Sequence, residues 1–282
     1  MRCGSPVRGE VLAKSLRSKL ARYIYSMVEN SSRNAVVTGA SSGIGAATVR
    51  ALRAHGWNVV AVARRADRLL ALAAETGAIA CPADISKDDD VARLRSNVTD
   101  AFAQFGGVDT VINIAGGARG VDPVGSASVQ DWEWMYQVNV LGTLKVIQAF
   151  LPELRAHGRG TVLNLTSTAG LVAYEGGAGY NAAKFGQHAL NNALRLEEAE
   201  HNVRVIEVAP GLVHTEEFML NRLGGDKEAA AKTYQGVAEP LLPEDVADVV
   251  RYAVELPQHI NLDQIVVRPV AQAAAHKLIR NP

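Results

Sequence analysis

From Asn34 onward, short apolar runs alternate with longer stretches in which apolar residues return every three or four positions. The runs at Ala35–Thr38, Asn58–Ala63, Ile79–Cys81, Thr110–Asn113, Thr161–Leu165, Val203–Val208 and Ile265–Val267 predict seven strands. Helical periodicity follows Gly45 as far as His55–Gly56, and recurs over Arg68–Glu75, Val91–Phe105, Trp132–Phe150 and Ala178–Glu197. Strands that are apolar on both faces and separated by helices imply an α/β fold: a doubly wound, mainly parallel sheet covered by helices on both sides. No repeat or low-complexity tract interrupts the pattern, which predicts one domain over residues 34–272 and a short tail over 273–282.

Residues 1–33 depart from this pattern. Over Met1–Arg22, Arg2, Arg8, Lys14, Arg17, Lys19 and Arg22 stand against the single acid Glu10, and Leu12, Leu16, Leu20 and Ile24 recur at helical spacing. Such a basic amphipathic segment suits targeting or membrane contact. The preferred alternative is an extension upstream of a start at Met27, close before the glycine loop.

The 29 basic and 29 acidic residues balance, so charge gives no case for nucleic acid or a membrane surface as partner. Cys3 and Cys81 form neither a CxxC nor a Cys/His cluster, which predicts no disulfide framework, no metal site and a reducing, cytoplasmic compartment. No apolar run reaches the ~20 residues that cross a bilayer.

Two constellations carry chemistry. Thr38-Gly39-Ala40-Ser41-Ser42-Gly43-Ile44-Gly45 joins a predicted strand to a predicted helix. Gly39 suits a tight turn, Gly43 a close approach of backbone to a pyrophosphate, and Gly45 close packing of helix on sheet, while the helix N-terminus attracts phosphate. The second is Tyr180-Asn-Ala-Ala-Lys184, preceded by Ser167. An offset of four puts Tyr180 and Lys184 on one helix face, so the ammonium is expected to lower the phenol pKa for proton exchange with an alcohol or carbonyl. Ser167 would hold the substrate oxygen.

With these motifs in family order, the chain resembles the short-chain dehydrogenase/reductase (SDR) family over about residues 34–272. The resemblance implies a Rossmann-type sheet and a catalytic set of Asn139, Ser167, Tyr180 and Lys184, with Asn139 at a helix kink that feeds a lysine proton relay. The family's Asn-Asn-Ala-Gly element stands altered as Asn113-Ile114-Ala115-Gly116, so Ile114 replaces an asparagine. The resemblance further implies a cofactor held by Gly39, Ser41, Ser42, Gly43, Ile44 and Gly45, with Asp84 and Ile85 beside the adenine. Asn113, Ala115 and Gly116 would border the ribose, Tyr180 and Lys184 would reach it too, and Pro210, Gly211, Val213 and Thr215 would approach the nicotinamide.

Arg64 and Arg65 follow the second strand, where NAD-using members place an acid. Two guanidinium groups and the Ser41 hydroxyl suit a 2′-phosphate, so NADP(H) is the expected cofactor. The segment of about 212–240, with Glu216, Glu217, Phe218 and Arg222, resembles a subgroup of NADP-dependent 3-hydroxy acid and serine or allo-threonine dehydrogenases. This implies a small-molecule alcohol or carbonyl substrate; Arg222 is open between carboxylate binding and a surface ion pair. His214 reads as a surface residue rather than a substrate contact. Leu190 and Leu194 are expected to face another subunit of a homotetramer, or at least a dimer. A non-catalytic NADP(H) sensor or scaffold and an isomerase of the extended family are the alternatives; intact Ser167, Tyr180 and Lys184 speak against the first.

Overall fold

The apolar runs become strands buried from both sides. The computed structural model describes residues 33–275 and 277–281, and the expectations for residues 1–32 fall outside them. Seven strands, β1 (Asn34–Thr38), β2 (Asn58–Ala63), β3 (Ile79–Pro82), β4 (Thr110–Asn113), β5 (Thr161–Leu165), β6 (Arg204–Pro210) and β7 (Gln264–Val267), form one sheet in the order β3-β2-β1-β4-β5-β6-β7. Every pairing in it is parallel.

Helix α1 (Gly43–Ala54), α2 (Ala66–Thr76), α3 (Asp88–Phe102), α4 (Val129–Tyr136), α5 (Gly142–His157) and α6 (Ala178–Glu198) connect the strands. Beyond β6 come α7 (Phe218–Arg222), α8 (Lys227–Tyr234) and α9 (Pro243–Glu255). One core cluster gathers Val37, Val49, Leu52, Leu69, Ile206 and Val250; another, on the opposite face, gathers Val36, Leu94, Phe102, Val111, Phe150 and Leu194. The alternation of side chains along each strand feeds both clusters, as for Val36 and Val37. The strand order reverses between β1 and β4, and the crevice beyond their C-terminal ends is where such sheets take ligands.

Two expectations change. Residues 273–282 are not a plain tail, because β8 (Gln272–Ala274) pairs antiparallel with β9 (Lys277–Leu278). Gln272 Oε1 accepts from Leu212 N at 2.7 Å, and Asn281 N donates to Gly236 O at 2.7 Å, so this hairpin is tied to the segment after β6. Leu194 is buried in the chain's own core, and partly buried Leu190 packs against it. The exposed apolar residues on the same helices are Val129, Tyr136, Phe185 and Leu196. Among the described residues, no helix is long and apolar enough to cross a membrane.

Candidate active site

The glycine loop leaves β1 in a turn that only glycine fits. Gly39 has φ +73°, and a Cβ there would come within 2.7 Å of Ala115 N; a Cβ on Gly45 would run into Gly39 O. The neighbouring strand end is fixed by Thr38, whose Oγ1 accepts from Ile114 N at 3.1 Å and Ala115 N at 3.2 Å. The replacement at Ile114 therefore leaves the loop bonded, and its side chain packs on the core. Asn113 stands apart. It does not line the cavity below this loop; its Nδ2 donates to Asn164 Oδ1 at 2.9 Å, and Asn164 donates to Asn191 Oδ1 at 2.9 Å. Asn113 is in register with Asn164, so strand alternation turns both toward α6.

A cavity of about 780 Å³ runs from this loop to the substrate segment. Its lining includes Gly39, Ser41, Ser42, Gly43, Ile44, Gly45, Arg64, Arg65, Asp84, Ile85, Ala115, Gly116, Ser167, Tyr180, Lys184, Pro210, Gly211, Val213 and Thr215. Apart from Asn113 and Asn139, every residue expected at the site meets there.

At one end, Arg65 Nη2 donates to Ser41 Oγ at 2.9 Å and to Ser42 Oγ at 3.0 Å. Two residues that the sequence did not single out for this end join them. Glu217 makes a two-pronged ion pair with Arg65, at 2.7 and 2.8 Å, and Arg68 Nη1 lies 2.6 Å from the same carboxylate. The Arg65 hydrogen bonds hold the Glu217 carboxyl down to about 2. Arg64 lines the cavity without joining this cluster, so the two adjacent arginines are not equivalent.

At the other end, helix α6 presents Tyr180 and Lys184 one turn apart, both buried. Ser167 caps a short turn after β5: its Oγ accepts from Ala169 N at 3.1 Å. Burial pushes the Tyr180 phenol above its ordinary value and Tyr174 adds to this, whereas the neighbouring Ser167 hydroxyl and the Arg222 charge act against it. Burial pulls the Lys184 ammonium down to about 7, opposed by the Glu207 carboxylate. The sequence predicts that Lys184 makes the phenol more acidic; within the protein alone, desolvation prevails over the Arg222 charge.

Lys184 Nζ donates to Leu165 O at 3.2 Å and to Gln187 Oε1 at 2.7 Å. Asn139 stands in a π-helical turn, Gln137–Leu141, between α4 and α5. Its side chain bonds Gly117 through both N–H and C=O, and a Cβ on Gly116 would collide with its Oδ1. The expected kink is thus a widened turn clamped to the loop after β4. Beneath Lys184, fully buried Glu207 accepts from Thr166 Oγ1 at 2.6 Å, His188 Nδ1 at 2.8 Å and Gln264 Nε2 at 3.1 Å. Asn192 Nδ2 lies 2.9 Å from His188 Nε2 and completes this buried polar group.

On the substrate side, Arg222 is buried rather than in a surface ion pair. It donates to Gly120 O, Gly176 O and Tyr174 Oη at 3.0–3.2 Å, and its guanidinium lies 5.6 Å from the Tyr180 ring centroid. Phe218 meets the Tyr180 ring edge-on at 5.7 Å, and Arg119 stacks on Trp134 at 4.0 Å. His214 is exposed, stacked on Tyr234 and outside the cavity lining.

The family model described as short chain dehydrogenase matches residues 33–223. The chain is 48% identical over 250 residues to an uncharacterized oxidoreductase of Mycobacterium tuberculosis, covering 89% of this chain and 96% of that protein. It is 36% identical over 240 residues to the NADP-dependent 3-hydroxy acid dehydrogenase YdfG of Salmonella typhi, covering 85% and 96%. Its fold matches the closed form of serine dehydrogenase complexed with NADP+ at a TM-score of 0.82 and 33% identity, covering 88% and 100% of the two chains. Sheet order, glycine loop and the Ser-Tyr-Lys group thus coincide with sequence likeness along nearly the whole described chain: it belongs to the short-chain dehydrogenase family.

Proposed function

We propose that the protein is an NADP(H)-dependent oxidoreductase that interconverts an alcohol and its carbonyl, acting on a 3-hydroxy acid or hydroxy amino acid. The observation that carries this reading is the convergence of Ser167, Tyr180 and Lys184 at one end of a cavity whose other end holds Ser41, Ser42 and Arg65. The cavity fits a dinucleotide: the tight approach at Gly39 and Gly45 leaves backbone bare at a helix N-terminus, and the arginine cluster suits a 2′-phosphate. When bound, the nicotinamide supplies or accepts the hydride. Tyr180 holds the proton that the substrate oxygen gains on reduction, and its raised pKa keeps that proton in place near neutrality. Ser167 orients the substrate oxygen, and Lys184 reaches toward the nicotinamide ribose.

The 3-hydroxy acid and serine dehydrogenase relatives support an acidic substrate, and so do Arg119 and Arg222 on the substrate side. Arg222 has three of its five N–H donors engaged, which leaves two for a carboxylate. Exposed Tyr136 and Phe185 support self-association through α4 and α6. The test is NADP reduction with a panel of 3-hydroxy acids, serine and allo-threonine, set against simple secondary alcohols lacking a carboxylate, and repeated with NAD. Turnover of the acids with NADP is expected; turnover with the plain alcohols alone would reject the substrate class, and preference for NAD would reject the cofactor.

A further inference from the structure

The arginine cluster that suits a 2′-phosphate already holds an anion of the chain itself. Glu217 Oε1 lies 2.7 Å from Arg65 Nη1 and 2.6 Å from Arg68 Nη1, while Oε2 lies 2.8 Å from Arg65 Nη2 and accepts from Ser42 Oγ at 3.0 Å. Arg65 completes the ring by donating to Ser41 Oγ. Two guanidinium groups and the Ser42 hydroxyl around one carboxylate, with Ser41 bonded to Arg65, form the kind of donor set that a phosphate monoester requires. Glu217 does not belong to the strand end that carries these arginines. It comes from the segment after β6, immediately before α7, more than a hundred residues away in sequence.

Two anions cannot share the same fork without a large repulsion. A phosphate monoester near neutrality carries about −1.5 to −2 charges against one for the carboxylate, so it is the stronger ligand, yet it must first displace Glu217. A cofactor without that phosphate makes no such demand.

We infer that Glu217 is an internal competitor of the 2′-phosphate: its carboxylate occupies the Arg65–Arg68–Ser42 site and sets how strongly the protein prefers NADP(H) to NAD(H). This rests on the NADP(H) reading above, and the two are separable by experiment. Adenosine 2′,5′-bisphosphate and 5′-AMP, which lack nicotinamide and are not turned over, are titrated calorimetrically into the wild-type protein and into Glu217→Gln and Glu217→Ala, with thermal melts to show that each variant is folded. Both variants should bind the bisphosphate about three- to tenfold more tightly, the scale of a well-aligned but partly exposed ion pair, with 5′-AMP affinity changed less than about twofold. Bisphosphate affinity that is unchanged or weakened in both folded variants overturns the competition. Equal binding of the two nucleotides by the wild-type protein overturns the NADP(H) reading, and the inference with it.

Discussion

Lys184 donates to Gln187 Oε1 at 2.7 Å, and Gln187 Nε2 donates in turn to Thr143 Oγ1 at 3.1 Å, which donates to the Asn139 carbonyl at 2.7 Å. Gln187 is wholly buried, three residues on from Lys184 in α6. An unbroken run of hydrogen bonds therefore joins the ammonium to the π-helical turn without passing through solvent. Because an amide relays no proton readily, Gln187 acts by position: it holds the ammonium where the ribose is expected. Gln187→Leu removes that acceptor and leaves Leu165 O. It should lower kcat about tenfold and shift the alkaline limb of the pH–rate profile to lower pH, as a buried ammonium with fewer partners loses its proton more readily. Gln187→Glu, which restores an acceptor, should recover the limb. A lowered melting point with an unmoved pH profile would make Gln187 structural only.

Tyr180→Phe keeps the ring that packs on Phe218 and removes only the hydroxyl. It should lower turnover by about two to four orders of magnitude while leaving NADPH affinity, read by fluorescence titration, nearly unchanged. Lys184→Ala should damage both. Near-native turnover in Tyr180→Phe would remove the tyrosine from the chemistry.

Tyr180 and Lys184 were legible because a four-residue offset fixes a shared helix face whatever surrounds it, and the glycine loop because its spacing records backbone constraints. What could not be read depends on partners distant in sequence. Glu217 meets Arg65 across 152 residues, and nothing local to either announces the pair. Glu207 left a faint signal, a lone acid in the apolar run Val205-Ile206-Glu207-Val208, which marks a buried carboxylate once the strand is known to be central. Leu190 and Leu194 were open for a different reason: helical periodicity shows that a face is apolar but not whether its own sheet or another subunit covers it. For Asn113, the family pattern suggested the ribose where strand alternation directs the amide to Asn164.

The depressed Lys184 pKa makes a stability prediction with a definite sign. Folded, the group loses its proton at about 7, whereas in the unfolded chain it does so near the ordinary lysine value of about 10.4. Between these values the unfolded state binds more protons, so this group makes the protein more stable as pH rises from about 7 toward 10, and its penalty is fully present below 7. Lys184→Met, which fills similar volume without charge, should therefore raise the melting temperature of the isolated protein at pH 6 by a few degrees, with a smaller gain at pH 9, while abolishing activity. Equal melting shifts at both pH values would show that Lys184 binds its proton as firmly in the fold as in the unfolded chain and is not depressed at all.

Glu207 and Lys184 are coupled through the field rather than by contact, since the carboxylate is bonded to Thr166, His188 and Gln264. Glu207→Gln keeps an oxygen for Thr166 and removes the charge that raises the Lys184 pKa. The alkaline limb of the pH–rate profile should then move down by about one unit, the lower end of the effect of a nearby opposite charge. Glu207→Asp, with its charge retained, should leave the limb near its original place even where stability falls. A limb that stays fixed in folded Glu207→Gln would assign the buried carboxylate to structure alone.

Arg64 and Arg65 provide the sharpest test of cofactor choice, because the structure separates two residues that look interchangeable in sequence. Arg65 bonds Ser41 and Ser42 and faces the cavity in a fork, whereas Arg64 lines the cavity outside that cluster. A charge-assisted bond to phosphate is worth roughly 1.5 to 3 kcal/mol, or about a ten- to hundredfold change in affinity. Arg65→Ala should thus raise the KM for NADPH by about that factor and leave the KM for NADH within about twofold. Arg64→Ala, losing at most a peripheral charge, should cost NADPH less than about fivefold. Steady-state kinetics with both cofactors decides the matter: equal losses in the two variants would place the phosphate between the arginines, and a loss confined to Arg64→Ala would place it away from the Ser41–Ser42–Arg65 cluster altogether.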